Sequence, residues 1–264
     1  HIEVVHDIFN ELLNKGLIDK QKSLQAYDAS ENKFLPDRYV EGTCPYCSYA
    51  EARGDQCDSC SKTLDPEELI NPVSKISGNL AEFKETEHFF LKLSMVESEL
   101  SKWLETKKGW RPHVINWAKS FVKDGLQDRA ITRDLDWGIK IPVDDLGPGK
   151  KIYVWFEAVI GYLSASKEWA QINNKPDEWE NWWLNPEAET FYFIGKDNVP
   201  FHAVIWPSIL LGYDNLNLPT NVPANQYILV KGEKASASRG VGKTLDEYLD
   251  EWNPDALRLS LIHI

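Results

Sequence analysis

No apolar run in these 264 residues approaches the roughly 20 needed to cross a bilayer, and no charged start followed by an apolar stretch marks a secretory leader. Cysteine is missing outside one window. All four lie between Cys44 and Cys60, so no disulfide framework ties the rest of the chain together. With no secretory signal, that usage fits a reducing compartment. Positive charge is scarce: 29 Lys and Arg against 41 Asp and Glu leave −12, which disfavours non-specific nucleic-acid or membrane binding but leaves room for one local basic contact. An initiating methionine is also absent. The chain opens at His1 and enters a helical pattern with no strand ahead of it, unlike most α/β domains, so a fragment is expected.

What is present is a globular composition, 42% hydrophobic and 27% charged. Ile2, Val5, Phe9, Leu12 and Leu13 recur at helical spacing, with Gly16 as the stop. Leu17 to Ala26 reads as a short link. Cys44-Pro-Tyr-Cys47 and Cys57-Asp-Ser-Cys60 follow, two CxxC pairs set nine residues apart. That spacing lets short turns close four thiolates around one zinc ion. With every ligand position taken by protein, the metal is structural and replaces a core the ribbon is too small to build. Residues 61–85 are polar and turn-rich, His88 to Leu93 is a strand, and helices run from Ser94 to Glu105 (Met95, Leu100 and Trp103 inward) and from Pro112 to Val122. His113 reads as a surface or packing residue. Ile131 to Gly138 reads as a loop, site-lining or merely solvated. Asp144 to Lys151, with Gly147-Pro-Gly149, reads as a linker between domains.

The second half is organised around Phe191 to Leu210. Phe191 to Ile194 reads as a fully buried strand, Gly195 as the turn, Asn198 as a helix cap and Pro200 as its first turn. In a parallel sheet such a turn faces ligands, and Asp197 and His202 fall in or just past it. Upstream, a strand from Lys151 to Trp155 leads into a helix near Glu157. Trp155, Ala158, Gly161 and Tyr162 there make either an apolar slot or ordinary core packing. Residues 171–190 read as a helical insertion carrying Trp179, Trp182 and Trp183. Downstream, Gln226 to Val230 reads as another buried strand. The loop Lys231 to Gly240 carries Lys234, Arg239, Ser236 and Ser238, and with Lys243 it could hold phosphates; a solvated surface loop is the plain alternative. Thr244 and Glu247 form a capping box, and apolar Leu257 to Ile264 reads as the start of a further helix.

Together these segments resemble the methionyl-tRNA synthetases, class I aminoacyl-tRNA synthetases, from about residue 2 to 261. The resemblance rests on AYDASENKFLPDRYVEGTCPYC with the second cysteine pair, then ITRDLDWG, YVWFEAVIGY, FIGKDNVPFHAVIWP and KASASRG in the family's order. It implies an α/β fold: the second half of a Rossmann-type parallel-sheet catalytic domain with an inserted α+β zinc-knuckle connective peptide. It divides the chain into residues 1–26 from the catalytic domain, 27–149 as the connective peptide with its knuckle at 44–60, 150–230 as the second catalytic half, and 231–264 as the phosphate loop and following helices. It implies ATP-dependent activation of methionine to methionyl-adenylate and transfer to tRNA in the cytoplasm, with Mg and a structural Zn and no membrane. Carried over by motif, Trp155, Ala158, Tyr162 and His202 would line the methionine pocket, where aromatic edges suit a thioether. Gly195 and Asp197 would meet the ATP ribose, Tyr227 and Ile228 the adenine, and Lys234, Ser236 and Ser238 the phosphates. Lys234 and Arg133 would be the catalytic groups, Arg133 as a site-organising ion-pair partner.

Three departures from the family's pattern stand out. Its HIGH motif is missing: His1-Ile2 and His263-Ile264 lack the Gly-His that should follow, so the strand and helix bearing it are expected to precede residue 1. The phosphate loop reads Lys-Ala-Ser-Ala-Ser for Lys-Met-Ser-Lys-Ser, placing Ala237 at the second lysine; one such lost contact costs on the order of 10²–10³ in rate. Val159 stands where proline is commoner. The expectation is a chain inactive alone, or, in another class, a degenerate synthetase-like binding module.

Overall fold

Helix α1 (Ile2–Asn14) forms where the apolar spacing predicts and buries Val5, Ile8, Phe9 and Leu12. Gly16, at φ 71°, ends it. Its N–H reaches the Leu13 carbonyl at 3.0 Å while Leu17 N–H reaches Leu12 at 2.9 Å, the paired closure that a left-handed residue permits. A computed structural model describes residues 1–60, 62–144, 146–147, 149–227, 229–230, 232–235 and 240–262, with 233, 234, 261 and 262 as backbone only.

The expected link after α1 is instead a strand, β1 (Ile18–Asp28), which crosses the expected boundary at residue 26. Its polar residues hid it, because ladder hydrogen bonds and not an apolar face hold it. It pairs antiparallel with β6 (Glu82–Leu91) over ten residue pairs, from Ile18 with Leu91 to Tyr27 with Glu82. Between them lie β2 (Lys33–Phe34), β3 (Val40–Thr43), β4 (Ala52–Arg53) and β5 (Ile70–Ser74). So the stretch 61–85 is less irregular than its turns suggest. β2-β1-β6-β7 form one sheet, with β7 at Arg129–Ala130, and β4-β3-β5 form the knuckle's own.

Helices α2 (Leu93–Thr106) and α3 (Pro112–Lys123) follow as expected, except that Met95 points outward, 55% exposed, and Val96, Leu100 and Leu104 turn inward. β8 (Thr132–Asp134) and β9 (Lys150–Ile152) pair antiparallel, so the expected interdomain linker closes a hairpin. Helix α4 (Val154–Ile172) begins directly after it, which puts Trp155 in the first helical turn and not on a strand. Helix α5 is a single turn (Glu180–Trp183), and α6 spans Trp206–Tyr213.

The strand-turn-helix stretch departs most from expectation. Ile194–Gly195, β10, pairs parallel with β11 (Ala224–Asn225), and ahead of it Phe191 makes an isolated parallel bridge with Asn221. Tyr192 is buried, but Phe191 is 49% and Phe193 80% exposed, so one face of the supposed buried strand meets solvent. The expected strand at 226–230 is likewise a short hairpin of β12 (Leu229–Val230) and β13 (Glu233–Lys234), with Leu229 58% exposed. Apolar runs show that a segment tends to be covered; they do not show how many neighbours cover it. Helices α7 (Leu245–Glu251) and α8 (Pro254–Ile262) end the described chain.

Two cores result. The large one joins α1, α2, α3, α4 and α6 around Phe9, Phe89, Phe156 and Trp206; α2 and α3, expected with the knuckle in a 27–149 unit, bury their apolar faces here. The small one holds Ala26, Leu35, Val40, Cys44, Ala52, Cys57, Leu64 and Leu69. The architecture is mixed α/β, with mainly antiparallel ladders and one short parallel ladder in the described residues.

Candidate functional site

On α4, Trp155, Ala158 and Tyr162 stand at helical spacing on one face while Phe156, Val159, Ile160 and Leu163 are buried on the other. Val159 therefore lies in the large core and not on the face of the expected pocket. Tyr162 meets His202, its hydroxyl 2.8 Å from Nε2. His202 Nδ1 lies 3.0 Å from the Asn198 carbonyl, which can only accept. The proton therefore sits on Nδ1, and in the neutral ring Nε2 accepts from Tyr162. Burial holds His202 below its ordinary pKa and Tyr162 above its own, so both stay uncharged at neutral pH. Tyr192 closes the cluster, 4.9 Å from the Tyr162 ring and hydrogen-bonded through its oxygen to Trp206 Nε1 at 3.0 Å. Burial pushes the Tyr192 phenol up to about 12.

The backbone delivers His202 in an unusual way. Asn198 does not cap with its side chain; Lys196–Asn198 form a tight turn and Phe201–Ile205 wind as a π-helix before α6. Pro207 has no N–H to return to the Ala203 carbonyl, which suits the wider turn. That winding also sets Phe201 flat on Trp155, ring centroids 4.3 Å apart and planes 14° off parallel.

Gly195 and Asp197 are brought together at the parallel ladder. A Cβ on Gly195 would stand 2.9 Å from Asp197 Oδ1, so glycine is what lets that carboxylate fold back. Lys196 reaches across to lie over the Tyr227 ring at 4.2 Å. Of the expected phosphate loop, Lys234 is described as backbone only, on β13. Ile228, Ser236 and Ser238 lie outside the described residues, as do Ala237 and Arg239.

Arg133 forms an ion pair, and its acid is Asp37, which lies in the motif leading to the first cysteine pair but was not among the candidate site residues. Nη2 meets Asp37 Oδ2 at 2.8 Å and Nε meets Oδ1 at 3.3 Å, with the Ala130 and Thr132 carbonyls accepting from Nη1. The side chains are only 11% and 9% exposed, and Arg133 also lies over the Tyr153 ring at 4.1 Å. Next to Asp37, Arg38 pairs with Asp55 at 2.7 Å and sits 5.3 Å over the Trp155 ring. The knuckle is thus pinned to the start of α4 by Asp37 and Arg38. The Asp-Arg pair just ahead of the first cysteines was the available signal. On the other face of β8, Asp134 takes Lys150 at 2.8 Å and lies 3.2 Å from the fully buried His88. His113 Nε2 lies 3.2 Å from the Ala224 carbonyl.

The four cysteine sulfurs lie within 4.8 Å of one another, with Cys44–Cys60 at 3.9 Å and Cys47–Cys57 at 3.6 Å. A tetrahedron with Zn–S of 2.3 Å has edges of about 3.8 Å, so the set fits zinc. Gly54 makes the ribbon possible: its N–H reaches the Val40 and Asp37 carbonyls, and a Cβ there would stand 2.6 Å from the Asp37 oxygen. Burial pushes the Cys57 thiol up to about 12, a group that a metal but not bulk water would keep ionised.

A profile of the family described as tRNA synthetases class I (M) matches residues 1–264, and the chain belongs to that family. It is 51% identical to methionine–tRNA ligase of Thermoplasma volcanium over 98% of its length and 47% of the relative's. It is 49% identical to methionine–tRNA ligase of Chloroflexus aggregans over 99% of the chain and 46% of the relative. The chain thus spans about half the length of the curated relatives it matches. A crystal structure of Mycobacterium tuberculosis methionyl-tRNA synthetase bound by methionyl-adenylate superposes on 99% of the chain and 45% of its own, with a TM-score of 0.67 at 20% identity, which is a likeness of fold. No helix among the described residues is long and apolar enough to cross a membrane.

Proposed function

We propose that this chain carries half of the adenylate-forming site of a methionine–tRNA ligase, the second half of a Rossmann-type domain with its zinc-knuckle insertion. The observation that carries the reading is the wall formed by Trp155, Ala158 and Tyr162 on α4 and by His202, joined by a hydrogen bond at 2.8 Å. An uncharged, largely apolar wall with polarisable rings is what a thioether side chain requires. Arg133, Asp37 and Arg38 hold that wall to the knuckle. Gly195 and Asp197 offer a carboxylate for a ribose hydroxyl, and Tyr227 with Ile228 would take the adenine. Lys234, Ser236 and Ser238 would take the phosphates together with Mg. In this reading the four cysteines hold a structural Zn, which supplies cross-linking and no reaction step. Forming an acyl phosphate anhydride demands positioning and charge stabilisation more than covalent catalysis. Transfer to tRNA belongs to the same activity in the whole protein.

A stable methionyl-adenylate analogue should bind the chain, and Trp155→Ala or Tyr162→Phe should each weaken it about tenfold or more. Unchanged affinity in both variants removes the site. Methionine-dependent ATP–pyrophosphate exchange by this chain alone is expected to be absent; turnover would overturn the inactivity. Ala237 favours a second reading, a non-catalytic synthetase-like binding module. Analogue binding without exchange, persisting when Ala237→Lys restores the family's residue and the remainder of the relatives' length is joined to the chain, would select that reading.

A further inference from the structure

The chain carries −12 overall, but one stretch runs the other way. Between Glu99 and Asp124 stand Lys102, Lys107, Lys108, Arg111, Lys119 and Lys123 against one acid, Glu105. Glu105 takes Lys119 at 2.7 Å, and none of the other five has a carboxylate partner among the described residues. These cations span the end of α2, its connection to α3, and α3 itself. The connection is anchored along residues 219–225. Lys107 Nζ donates to the Pro219 carbonyl at 2.9 Å, Trp110 Nε1 to Thr220 at 2.7 Å, and Arg111 Nη1 to Ala224 at 2.7 Å. Carbonyls satisfy hydrogen bonds of Lys107 and Arg111 but leave both charges unneutralised. The basic edge ends where β11 ends, at the carboxyl edge of the parallel ladder that also carries Gly195. A separate feature sits there. A cavity of about 190 Å³ is lined by Gln56 from the knuckle, His113 and Trp117 from α3, Lys196, and Gln226 just past β11. No carboxylate is among its described walls, and neither are Ala158, Tyr162 and His202. Two carboxamides that both donate and accept, an indole and an ammonium suit an unstacked nucleobase and its phosphate.

We propose that the α2–α3 edge is a track for the single-stranded 3′ end of an RNA, with its phosphates on Lys107, Lys108 and Arg111 and one unstacked base in the cavity of Gln56, Trp117 and Gln226. Identifying that RNA as the acceptor end of tRNA rests on the adenylate reading; the track itself rests on the charge and the cavity. An acidic chain repels a polyanion over most of its surface, so a local run of unneutralised cations is what would hold one. The cavity is several times the space one water needs, so a single base enters where a base pair does not.

The test is fluorescence anisotropy of a short labelled single-stranded RNA with a free 3′ end, titrated with the zinc-loaded chain across a salt series without ATP or methionine. Binding should weaken with salt. Lys108→Ala, at an exposed position, should lower the slope of log K against log salt by about 0.7, the share of one phosphate contact. Trp117→Ala should weaken binding about tenfold with the slope unchanged, because stacking releases no counterion. Should Trp117→Ala fail to fold by circular dichroism, Gln226→Ala, also exposed, reports a smaller loss of the same kind. An unchanged slope in Lys108→Ala overturns the track. Equal affinity for duplex DNA does so too, since any polyanion would then serve. Displacement of the RNA by the methionyl-adenylate analogue would place its base in the nucleotide site and overturn the assignment of the cavity. Failure of the analogue to bind while RNA binding persists counts against the adenylate reading and leaves the track standing.

Discussion

The two cores of this chain are built on different physics. The large one closes over fully buried Phe9, Phe89, Phe156 and Trp206, contributed by helices and a strand far apart in sequence. The knuckle's holds eight buried residues among those described, two of them cysteines, and three of the others larger than valine or alanine: Leu35, Leu64 and Leu69. At about 25 cal/mol per Å² the first can order its helices by burial, while the second cannot offset the backbone entropy of its turns. The four cysteine sulfurs cluster where that burial is missing, and a metal held by them would supply the difference. That smaller unit nonetheless contributes groups that hold the start of α4, so its geometry is imposed on an element of the larger core.

The strongest challenge to that contrast is removal of a ligand. Cys57→Ser should abolish zinc uptake and unfold residues near 44–69, a loss on the order of 10 kcal/mol of metal-linked folding energy, while the helical circular dichroism persists. Limited proteolysis reads it, and a protease-resistant ribbon in the metal-free variant would break the comparison. Next is the joint between the units. Arg133→Ala strands Asp37 in a nearly buried place and should lower stability by about 3–5 kcal/mol in urea unfolding. Asp37→Ala added to it should recover part of the loss, and strict additivity would mean that the pair is not coupled.

A smaller effect concerns the neutral histidines of the large core. Burial depresses both His202 and His88 below the ordinary value of 6.5. The unfolded chain then binds protons that the folded chain refuses, so stability is full above pH 6.5 and falls as pH drops from there towards the depressed values. Denaturation midpoints from pH 7.5 to 5.5 measure this slope. His202→Gln should flatten it, and an unchanged slope would place the titration elsewhere. The smallest effect is local. Thr244→Ala removes the acceptor for Glu247 N–H at 3.4 Å and should cost about 1 kcal/mol, confined to the exposed α7. Faster amide exchange in residues 245–251 alone is the expected readout, and an accompanying loss in either core would show that α7 is not independent of them.

The clustering of the four cysteines, the helix ends at Gly16 and Thr244, and the order of the motifs were legible in the sequence because each depends on neighbours within a few residues. A CxxC pair closes its own turn, a left-handed glycine ends its own helix, and a threonine caps the helix it starts. The pairing of β1 with β6 was not legible, since the ladder of Ile18 with Leu91 joins residues seventy-three apart through backbone groups that every sequence carries. Nor was the exposure of Phe193 or the inward turn of Val159, which depend on what packs beside them. Arg133 and Asp37 each lie in a motif, whereas their pairing could not be read, because it spans ninety-six residues. Local chemistry in the sequence therefore determined which groups this protein offers to its candidate site. Only the tertiary structure decided which of them meet, because contact between distant segments is set by how whole faces bury against one another.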